Sequence, residues 1–376
     1  MSSDIGLKAL QSARRVVVKI GSALIADAGR ARQAWLNTLA ADITQMRSKE
    51  QDIILVSSGA IALGRNQLGA SRPRKLDEKQ AAAALGQPKL MAALEQAFSP
   101  SHSPVAQALL TLEDTENRRR WLNARATLEM LLQAGAIPVI NENDTVATDE
   151  IRYGDNDRLA ARVAQMIGAD ALILLSDVDG LYSADPRHDA DAEHIPVLHE
   201  VTDAHDNMAG NINLAANLGS GGMVTKLTAA RIAHSAGCMT VIARGTGDHP
   251  LMALFENAKA TWVLPKLAPK KAREAWLRGH LTPEGAIYID AGAATALAQG
   301  ASLLPVGVTR VEGNFARGAA VAIKTHENVL IAKGVTAYSS EDAARIAGLQ
   351  TDEIEKELGF QGRPALVHRD DMVLDL

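Results

Sequence analysis

Residues 118–140 read RRRWLNARATLEMLLQAGAIPVI, a long amphipathic stretch followed almost at once by a short apolar run. The spacing of the apolar side chains predicts a helix over 118–134, and the β-branched run predicts a buried strand over 137–140. A helix that leads directly into a buried strand is the repeating unit of a parallel sheet covered by helices. This stretch therefore predicts an α/β fold.

The same alternation recurs on both sides of this stretch. Further helices are predicted over 78–98 and 223–236, and further short apolar runs fall at 16–20, 53–56, 105–110, 172–175 and 240–243. We therefore predict a mostly parallel sheet sandwiched by helices over residues 1–264. Ligands of such sheets bind at the carboxyl ends of the strands, so the loops after the strands are where functional residues are expected.

The amino-acid composition changes after residue 264. Residues 265–282 are rich in Lys, Arg and Pro, and short strand-like pieces separated by glycines follow. We predict a linker over 265–282 and a smaller β-rich domain over 283–376. Charge supports this boundary, because residues 283–376 hold 8 basic and 13 acidic side chains and so account for the whole net charge of −5.

The amino-acid composition of the whole chain excludes or disfavours several classes of function. The 376 residues are 47% hydrophobic and 22% charged, which is ordinary for a globular protein, and the 3% aromatic content disfavours stacking platforms for single-stranded nucleic acid. Cys238 is the only cysteine, which excludes an intramolecular disulfide and a thiolate zinc cage and fits a reduced compartment. We find no signal-peptide pattern and no apolar run typical of a membrane span, and so expect a cytoplasmic protein with no membrane contact.

Two loops at predicted strand ends carry residues suited to binding anions. Lys19 emerges at the end of the first strand, and Gly21 behind it leaves room for a phosphate near the backbone N–H groups. Ser58 follows the second strand and precedes a helix, where a hydroxyl could bind a carboxylate. A solvated lysine beside a turn and a plain serine cap fit these two patterns as well.

Two polar clusters follow the strand at 137–140. They read NEND at 141–144 and DND at 155–157, and a helix is predicted to begin near Arg158. Such side chains could form a solvated surface loop, but functional residues concentrate in loops that follow buried strands.

Two further segments suit a nucleotide. The run SDVDGLY at 176–182 follows a strand but lacks the third acidic position and the terminal Glu of a calcium loop, so a nucleotide-contacting loop is preferred. In GSGGMVTK at 219–226 the glycines would let the backbone wrap a phosphate at the start of a helix. This run is not a Walker A loop, and a flexible glycine linker before a helix is the alternative. The histidines are dispersed, which disfavours a dedicated transition-metal site.

Six motifs occur in the order of one known family: KIGSALI at 19–25, VSSGAIALG at 56–64, INENDTVAT at 140–148, YGDND at 153–157, SDVDGLYSADPR at 176–187 and GSGGMVTK at 219–226. Together they resemble the amino acid kinase family, and in particular its members that act on glutamate. GASLLPVGV at 300–308 and EGNFARG at 312–318 resemble a PUA domain. The resemblance implies the amino acid kinase fold over 1–264 and a PUA-like domain over 283–376.

The implied reaction is transfer of the γ-phosphoryl group of ATP to the side-chain carboxylate of L-glutamate, which is the first step toward proline. By the same resemblance, Lys19 and Lys226 would flank the moving phosphoryl group and Asp157 would hold them. Glutamate would be bound by Ser58, Asp144 and Asn156. The ATP site would be formed by Lys19, Ser176, Asp177, Ser220, Gly221, Gly222, Met223, Val224, Thr225 and Lys226.

The resemblance also implies a cofactor and partners. Mg²⁺ would enter with ATP and take mostly phosphate and water ligands rather than a protein cage. Proline is implied as a feedback inhibitor, a glutamyl phosphate reductase as the downstream partner, and a homo-oligomer as the assembly. Two other readings stay open: a kinase acting on aspartate, N-acetylglutamate or carbamate, and RNA binding through the PUA-like domain. The net charge of −5 on that domain disfavours nucleic acid as a partner.

Overall fold

The computed structural model describes residues 2–69, 73, 75–146, 155–213, 222–266 and 282–374. The chain divides into two compact units, Met1–Pro269 and Lys270–Leu376. The linker predicted over 265–282 lies mostly outside the described residues and stays a prediction.

The first unit is built on a large sheet. Its described strands are β1 (Arg15–Ile20), β2 (Ala26–Asp27), β3 (Arg30–Ala31), β4 (Asp52–Ser57), β5 (Val105–Leu110), β6 (Ile137–Glu142), β7 (Ala171–Ser176), β8 (Leu181–Tyr182), β9 (His194–Ile195), β10 (Val197–Leu198), β11 (Met239–Arg244) and β12 (Ala260–Val263). Eight of them form one sheet in the order β10-β12-β11-β7-β1-β4-β6-β5, and β2 with β3 and β8 with β9 form two small hairpins.

The large sheet is mostly parallel, as predicted. Six apolar runs of the sequence become β1, β4, β5, β6, β7 and β11, and all of their pairings with one another are parallel. β12 pairs antiparallel with β11, and β10 at the edge pairs parallel with β12, so these two strands run against the others. Every residue of β6 and of β7 is buried, as is typical of strands covered on both faces.

Helices cover both faces of this sheet. Their bounds are α1 (Ser2–Ser12), α2 (Ser22–Ile25), α3 (Gln33–Arg47), α4 (Ala60–Gly64), α5 (Leu76–Phe98), α6 (Leu112–Glu116), α7 (Arg118–Gln133), α8 (Asp155–Ile167), α9 (Asp203–Asn213), α10 (Met223–Ser235) and α11 (Pro250–Phe255). The three helices predicted from apolar spacing are α5, α7 and α10. One apolar layer packs α3 and α5 on the sheet, and the other packs α8 and α10 on the opposite face. The predicted α/β sandwich is confirmed.

Helices α4 and α5 approach each other at two glycines. A Cβ atom placed on Gly64 would lie 1.9 Å from the carbonyl oxygen of Ala82, and one on Gly86 would lie 1.7 Å from that of Ala60. Both distances are too short for any side chain, and the neighbouring atoms belong to backbone that cannot rotate away. The two glycines therefore allow α5 to pack directly on the short helix that follows β4.

Gly86→Ala is expected to destabilise the first unit by at least about 2 kcal/mol, because overpacking against rigid backbone outweighs the gain of about 1 kcal/mol in helix propensity. Urea unfolding of the two proteins measures the difference. Gly247→Ala is the matched control, since a Cβ atom there meets nothing within 4 Å. Equal unfolding free energies for Gly86→Ala and its parent would contradict the close contact.

The second unit is a smaller β-rich domain. Its described elements are β13 (Gly285–Ile289), α12 (Ala291–Ala298), β14 (Val308–Gly313), β15 (Ala320–Thr325), β16 (Leu330–Thr336), α13 (Ser340–Ile346), α14 (Ile354–Leu358) and β17 (Val367–Leu374). The strands form one sheet in the order β14-β13-β15-β16-β17, in which only β13 and β15 run parallel. Its core is a separate apolar cluster, which includes Ile287, Val321 and Ile346. Among the described residues of both units, no helix is both long and apolar enough to cross a membrane.

Candidate active site

Lys19 reaches the interior of the first unit because a strand alternates its side chains between the two faces of a sheet. Val16 and Val18 join the apolar layer that contains α3, whereas Val17 joins the layer that contains α8 and α10. Lys19 lies two residues beyond Val17 and so points to the same side. The alternation of side chains along β1 thus points Lys19 toward the two helices that carry the other predicted catalytic residues.

Asp157 and Lys226 lie in the first turns of α8 and α10, where they meet Lys19. Lys19 Nζ is 2.7 Å from Asp157 Oδ1, and Lys226 Nζ is 3.3 Å from Asp157 Oδ2. The hydroxyl of Thr225 donates to the same Oδ2 atom at 2.8 Å. The exposed fractions of the Lys19, Asp157 and Lys226 side chains are 8%, 0% and 5%. One buried carboxylate therefore bridges two ammonium groups that are distant in the sequence.

Burial and neighbouring charges shift the pKa of Asp157 and of Lys226. Burial by itself would raise the pKa of Asp157, but attraction to Lys19 and Lys226 and hydrogen bonds from Lys19 and Thr225 outweigh burial and lower it. Burial lowers the pKa of Lys226, while attraction to Asp157 opposes that change. An ionised Asp157 is therefore what makes two neighbouring buried ammonium groups tolerable.

Ser58 and Asn156, two of the residues predicted to bind glutamate, are in direct contact. Asn156 Nδ2 donates to the Ser58 hydroxyl at 2.7 Å and to Asn141 Oδ1 at 3.1 Å. Asn141 Nδ2 in turn donates to Gln87 Oε1 on α5 at 2.9 Å. Because Asn156 directly precedes Asp157 in α8, this polar cluster adjoins the two lysines.

The two polar motifs after residue 140 are placed differently from the prediction. Asn141 and Glu142 were expected in a loop, but they are the last residues of β6 and are buried. The helix expected near Arg158 begins at Asp155. The prediction was wrong at Asn141 and Glu142 because backbone pairing with β5 continues past the apolar run. A fully solvated loop is therefore excluded for Asn141 and Glu142, and residues 147–154 lie outside the described part of the chain.

Asp144, the third residue predicted to bind glutamate, lies in a short 3₁₀ helix after β6 and is half-buried. Burial raises the pKa of its carboxyl group to about 6. Within the residues that the structure describes, neither Ser58 nor Asn156 forms a hydrogen bond with it. A half-buried carboxylate with a raised pKa is suited to binding a cation, since a positive partner would return the pKa toward its ordinary value.

The glycine-rich run predicted for ATP is described only in part. Ser220 and Gly221 lie outside the described residues. Gly222 precedes α10 in extended backbone conformation, with φ −70° and ψ −177°. Met223 is buried and Val224 is half-buried in the first turn of that helix. The described end of the run therefore forms the first turn of α10, and its last residue is the buried Lys226.

Ser176 and Asp177, the other residues predicted for ATP, lie together at the end of β7. The Ser176 hydroxyl donates to Asp177 Oδ1 at 2.9 Å. β7 is the strand next to β1, so its carboxyl end lies beside the loop that follows Lys19. That loop contains Gly21, where a Cβ atom would meet only the Leu175 carbonyl oxygen at an ordinary 3.6 Å. Protein packing alone thus does not require glycine at this position, and its role in admitting an anion stays a prediction.

The described side chains do not form a resident metal site. In the part of the chain that the structure describes, no group of three His, Cys, Asp or Glu side chains is arranged to hold a metal ion. Asp157 has each of its carboxylate oxygens facing an ammonium group. A Mg²⁺ ion held by a protein cage therefore does not fit these residues.

Sequence reasoning missed two residues of the polar cluster. Asn141 was noted only as one member of a polar run, and Gln87 was not noticed at all. Gln87 lies inside the predicted helix 78–98, where no feature of the sequence distinguishes it from the other polar residues. Its contact with Asn141 joins residues 54 positions apart, so only the tertiary fold reveals it.

Comparison with known proteins gives the family. The sequence profile of the amino acid kinase family matches residues 14–244, and that of the PUA domain matches residues 285–358. A relative from Paramagnetospirillum magneticum named glutamate 5-kinase is 55% identical over 368 residues, which are 97% of this chain and 99% of the relative. Relatives of the same name from Caulobacter vibrioides and Rhodospirillum rubrum are each 54% identical, over 97% and 96% of this chain and 98% and 96% of their own lengths.

The kinase profile covers more than half of the chain, and these relatives align over nearly all of it. The second unit carries the PUA domain that was expected after the kinase fold. By its motifs, its sheet and its relatives, this chain belongs to the amino acid kinase family.

Proposed function

We propose that this chain transfers the γ-phosphoryl group of ATP to the side-chain carboxylate of L-glutamate, giving L-glutamyl 5-phosphate in the first step of proline biosynthesis. A carboxylate oxygen forms a bond to the γ-phosphorus, the bond from that phosphorus to the bridging oxygen breaks, and ADP leaves with the electron pair. The observation that carries the proposal is the buried Lys19–Asp157–Lys226 cluster. It occurs in a chain 54–55% identical to relatives named glutamate 5-kinase.

The charge of the cluster suits this reaction. Two ammonium groups and one carboxylate leave one net positive charge in a buried place, whereas the reaction brings a carboxylate toward a triphosphate. Two unit charges about 4 Å apart interact by roughly 4 kcal/mol at an effective dielectric constant near 20. Lys19 and Lys226 can therefore offset much of the repulsion between the two substrates and stabilise the charge on the moving phosphoryl group.

The reaction needs no general base. The side-chain carboxyl of glutamate has an ordinary pKa of about 4.3, so the nucleophile is already ionised at neutral pH. Alignment and charge neutralisation are then the main catalytic requirements. This accounts for a site that holds lysines, a carboxylate, amides and hydroxyls, with no histidine placed among the described members of the two clusters.

We propose that glutamate binds against Ser58, Asn156 and Asp144, with Asp144 paired to the α-ammonium group. Contact between Asn156 and Ser58 and the half-buried carboxylate of Asp144 support this placement. The nucleotide would lie over the ends of β1 and β7 and the start of α10, against the residues predicted for ATP. Mg²⁺ would arrive as part of the Mg–ATP substrate.

The decisive experiment is formation of an acyl phosphate, trapped with hydroxylamine as the hydroxamate. The purified full chain is incubated with Mg–ATP and L-glutamate, and aspartate and N-acetylglutamate are tested as parallel acceptors. We expect hydroxamate and ADP to form with L-glutamate in preference to the other two. Formation with one of the other acceptors instead would assign a different substrate, and no hydroxamate with any of them would overturn the proposal.

The raised pKa of Asp144 predicts a pH-dependent affinity for glutamate. With a pKa of about 6, Asp144 is ionised at pH 8 and mostly protonated at pH 5.5. Protonation removes the charge that attracts the α-ammonium group, so KM for glutamate is expected to rise about fourfold between these pH values. ADP release at varied glutamate concentration measures it. Asp144→Asn is expected to show a high KM that no longer changes with pH, and a pH-dependent KM in that variant would contradict the assignment.

Three predictions of the family resemblance remain proposals. They are inhibition by proline at or near the glutamate site, assembly into a homo-oligomer, and delivery of the product to a glutamyl phosphate reductase. An acyl phosphate hydrolyses in water, so a consuming enzyme close at hand is chemically reasonable.

A further inference from the structure

We propose that Gln87 of α5 is a positioning residue for glutamate, and that it acts by fixing the orientation of Asn156 through Asn141. The inference rests on the proposed function, because it assigns a role within the same glutamate site. It starts from a chain of side-chain amides that runs from α5 through β6 to α8. The chain is Gln87, Asn141, Asn156, and it ends at the hydroxyl of Ser58.

A backbone N–H group determines which atom donates and which accepts along this series of side-chain amides. The N–H of Glu142 donates to Asn141 Oδ1 at 2.9 Å, and a backbone N–H can only donate. The oxygen of the Asn141 amide must therefore face Glu142, which leaves its Nδ2 to face Gln87. Gln87 Oε1 accepts from that nitrogen at 2.9 Å and so holds the Asn141 amide in place from the other side.

The same direction continues to Asn156. Since Asn141 Oδ1 is an acceptor, Asn156 must present Nδ2 to it, and this nitrogen also donates to Ser58 Oγ and to the Ser57 carbonyl oxygen. The carbonyl oxygen of Asn156 is then turned away from these groups, and it is buried without a hydrogen-bond partner among the described residues. A buried acceptor of this kind is suited to a donor from a ligand, and an ammonium group is such a donor.

Rotation of Asn156 by half a turn would have the opposite effect. It would present an NH₂ group, which repels an ammonium group, and it would leave Asn141 Oδ1 with one donor fewer. Gln87 opposes this rotation because it fixes Asn141, and its own backbone is fixed in turn. Gly86, the preceding residue, packs closely against the carbonyl oxygen of Ala60 in α4, which places this part of α5 directly against α4. The position of Gln87 is therefore tied to the helix that directly follows Ser58.

The first test is Gln87→Leu, which keeps the approximate volume and removes the acceptor. We expect KM for glutamate to rise about tenfold, with kcat within about threefold of the parent and KM for ATP unchanged. Gln96→Leu is the matched control, since it makes the same change at an exposed position of the same helix. An unchanged KM for glutamate in Gln87→Leu would overturn the inference, as would an equal rise in both KM values.

Gln87→Glu tests the same idea without loss of the acceptor. A carboxylate oxygen still accepts from Asn141 Nδ2, so KM for glutamate is expected within about threefold of the parent. This variant keeps the inference testable if Gln87→Leu fails to fold. A Gln87→Glu enzyme with KM raised tenfold would show that the acceptor is not what matters, and it would overturn the positioning role.

A double-mutant cycle with Asn156→Ala decides whether Gln87 acts through Asn156. If it does, adding Gln87→Leu to Asn156→Ala causes no further rise in KM for glutamate, whereas independent roles give multiplied effects. Multiplied effects would overturn the inference. A parent enzyme that forms no hydroxamate from glutamate would instead remove the proposed function, and the inference with it. An active parent with an unchanged Gln87→Leu variant removes the inference alone.

Discussion

Lys226→Ala and Lys19→Ala are each expected to lower kcat by at least about 100-fold, the effect typical of losing one preorganised group that stabilises transition-state charge. Each lysine supplies an ammonium group that is almost fully buried, so its charge is little screened by water. Removal of either one leaves Asp157 and the other lysine as a neutral pair, with no net positive charge for the phosphoryl group. Hydroxamate formation at saturating substrates measures the loss.

Lys333→Ala is the matched control for the two lysine variants. Lys333 is a half-buried lysine on β16 of the second unit, and it belongs to neither cluster. We expect its kcat to equal that of the parent. A turnover within threefold of the parent in Lys19→Ala or Lys226→Ala would mean that the corresponding lysine does not act on the reaction.

Asp157→Asn is expected to cause a loss of activity of similar size, by at least about 100-fold in kcat, together with a lower melting temperature. Asparagine keeps the shape of the side chain but leaves two buried ammonium groups facing each other without a counter-charge. One of them is then expected to lose its proton in the folded state. A buried lysine with a lowered pKa destabilises the folded state fully below that pKa, and progressively less as the pH rises from it toward the ordinary lysine pKa of about 10.4. The loss of melting temperature should therefore shrink as the pH rises from 7 to 9.

Asp42→Asn separates this effect from the simple loss of a buried carboxylate. Asp42 is 1% exposed, and it accepts hydrogen bonds from the backbone N–H groups of Leu251 and Met252, which do not belong to the lysine cluster. This control is expected to lower the melting temperature while kcat stays near the parent value. If Asp157→Asn were as active as Asp42→Asn, the contact of Asp157 with Lys19 and Lys226 would serve stability alone and not the reaction.

The sheet could largely be predicted from the sequence pattern, whereas the meeting of Lys19, Asp157 and Lys226 was implied only by the resemblance to the amino acid kinase family. Six apolar runs located the six parallel strands, because residues buried on both faces of a sheet must be apolar almost without interruption. Period-2 alternation in β1 places Lys19 on one face of the sheet. The glycine-rich run before Lys226 predicted the start of α10, which is where the structure has it.

The strand ends and the amide chain could not be predicted in the same way. β6 includes Asn141 and Glu142, which are polar, because backbone pairing does not depend on the side chains. Gln87 lies in a helix whose spacing predicts only which face is buried. Its contact with Asn141 depends on how α5 packs on α4, and that packing requires the close approach of the two helices at Gly64 and Gly86. The local spacing of apolar and polar residues does not indicate this tertiary contact.

The order of strands in the large sheet has a consequence for synthesis. β1 leaves the ribosome first, yet it lies between β4 and β7, and β7 in turn needs β11 on its other side. A nascent chain that has not passed residue 244 thus exposes an open, apolar β7 edge, which favours pairing with other chains. Premature termination within the first unit is therefore expected to yield an aggregating product that requires chaperones or proteolysis, and not a partly active enzyme.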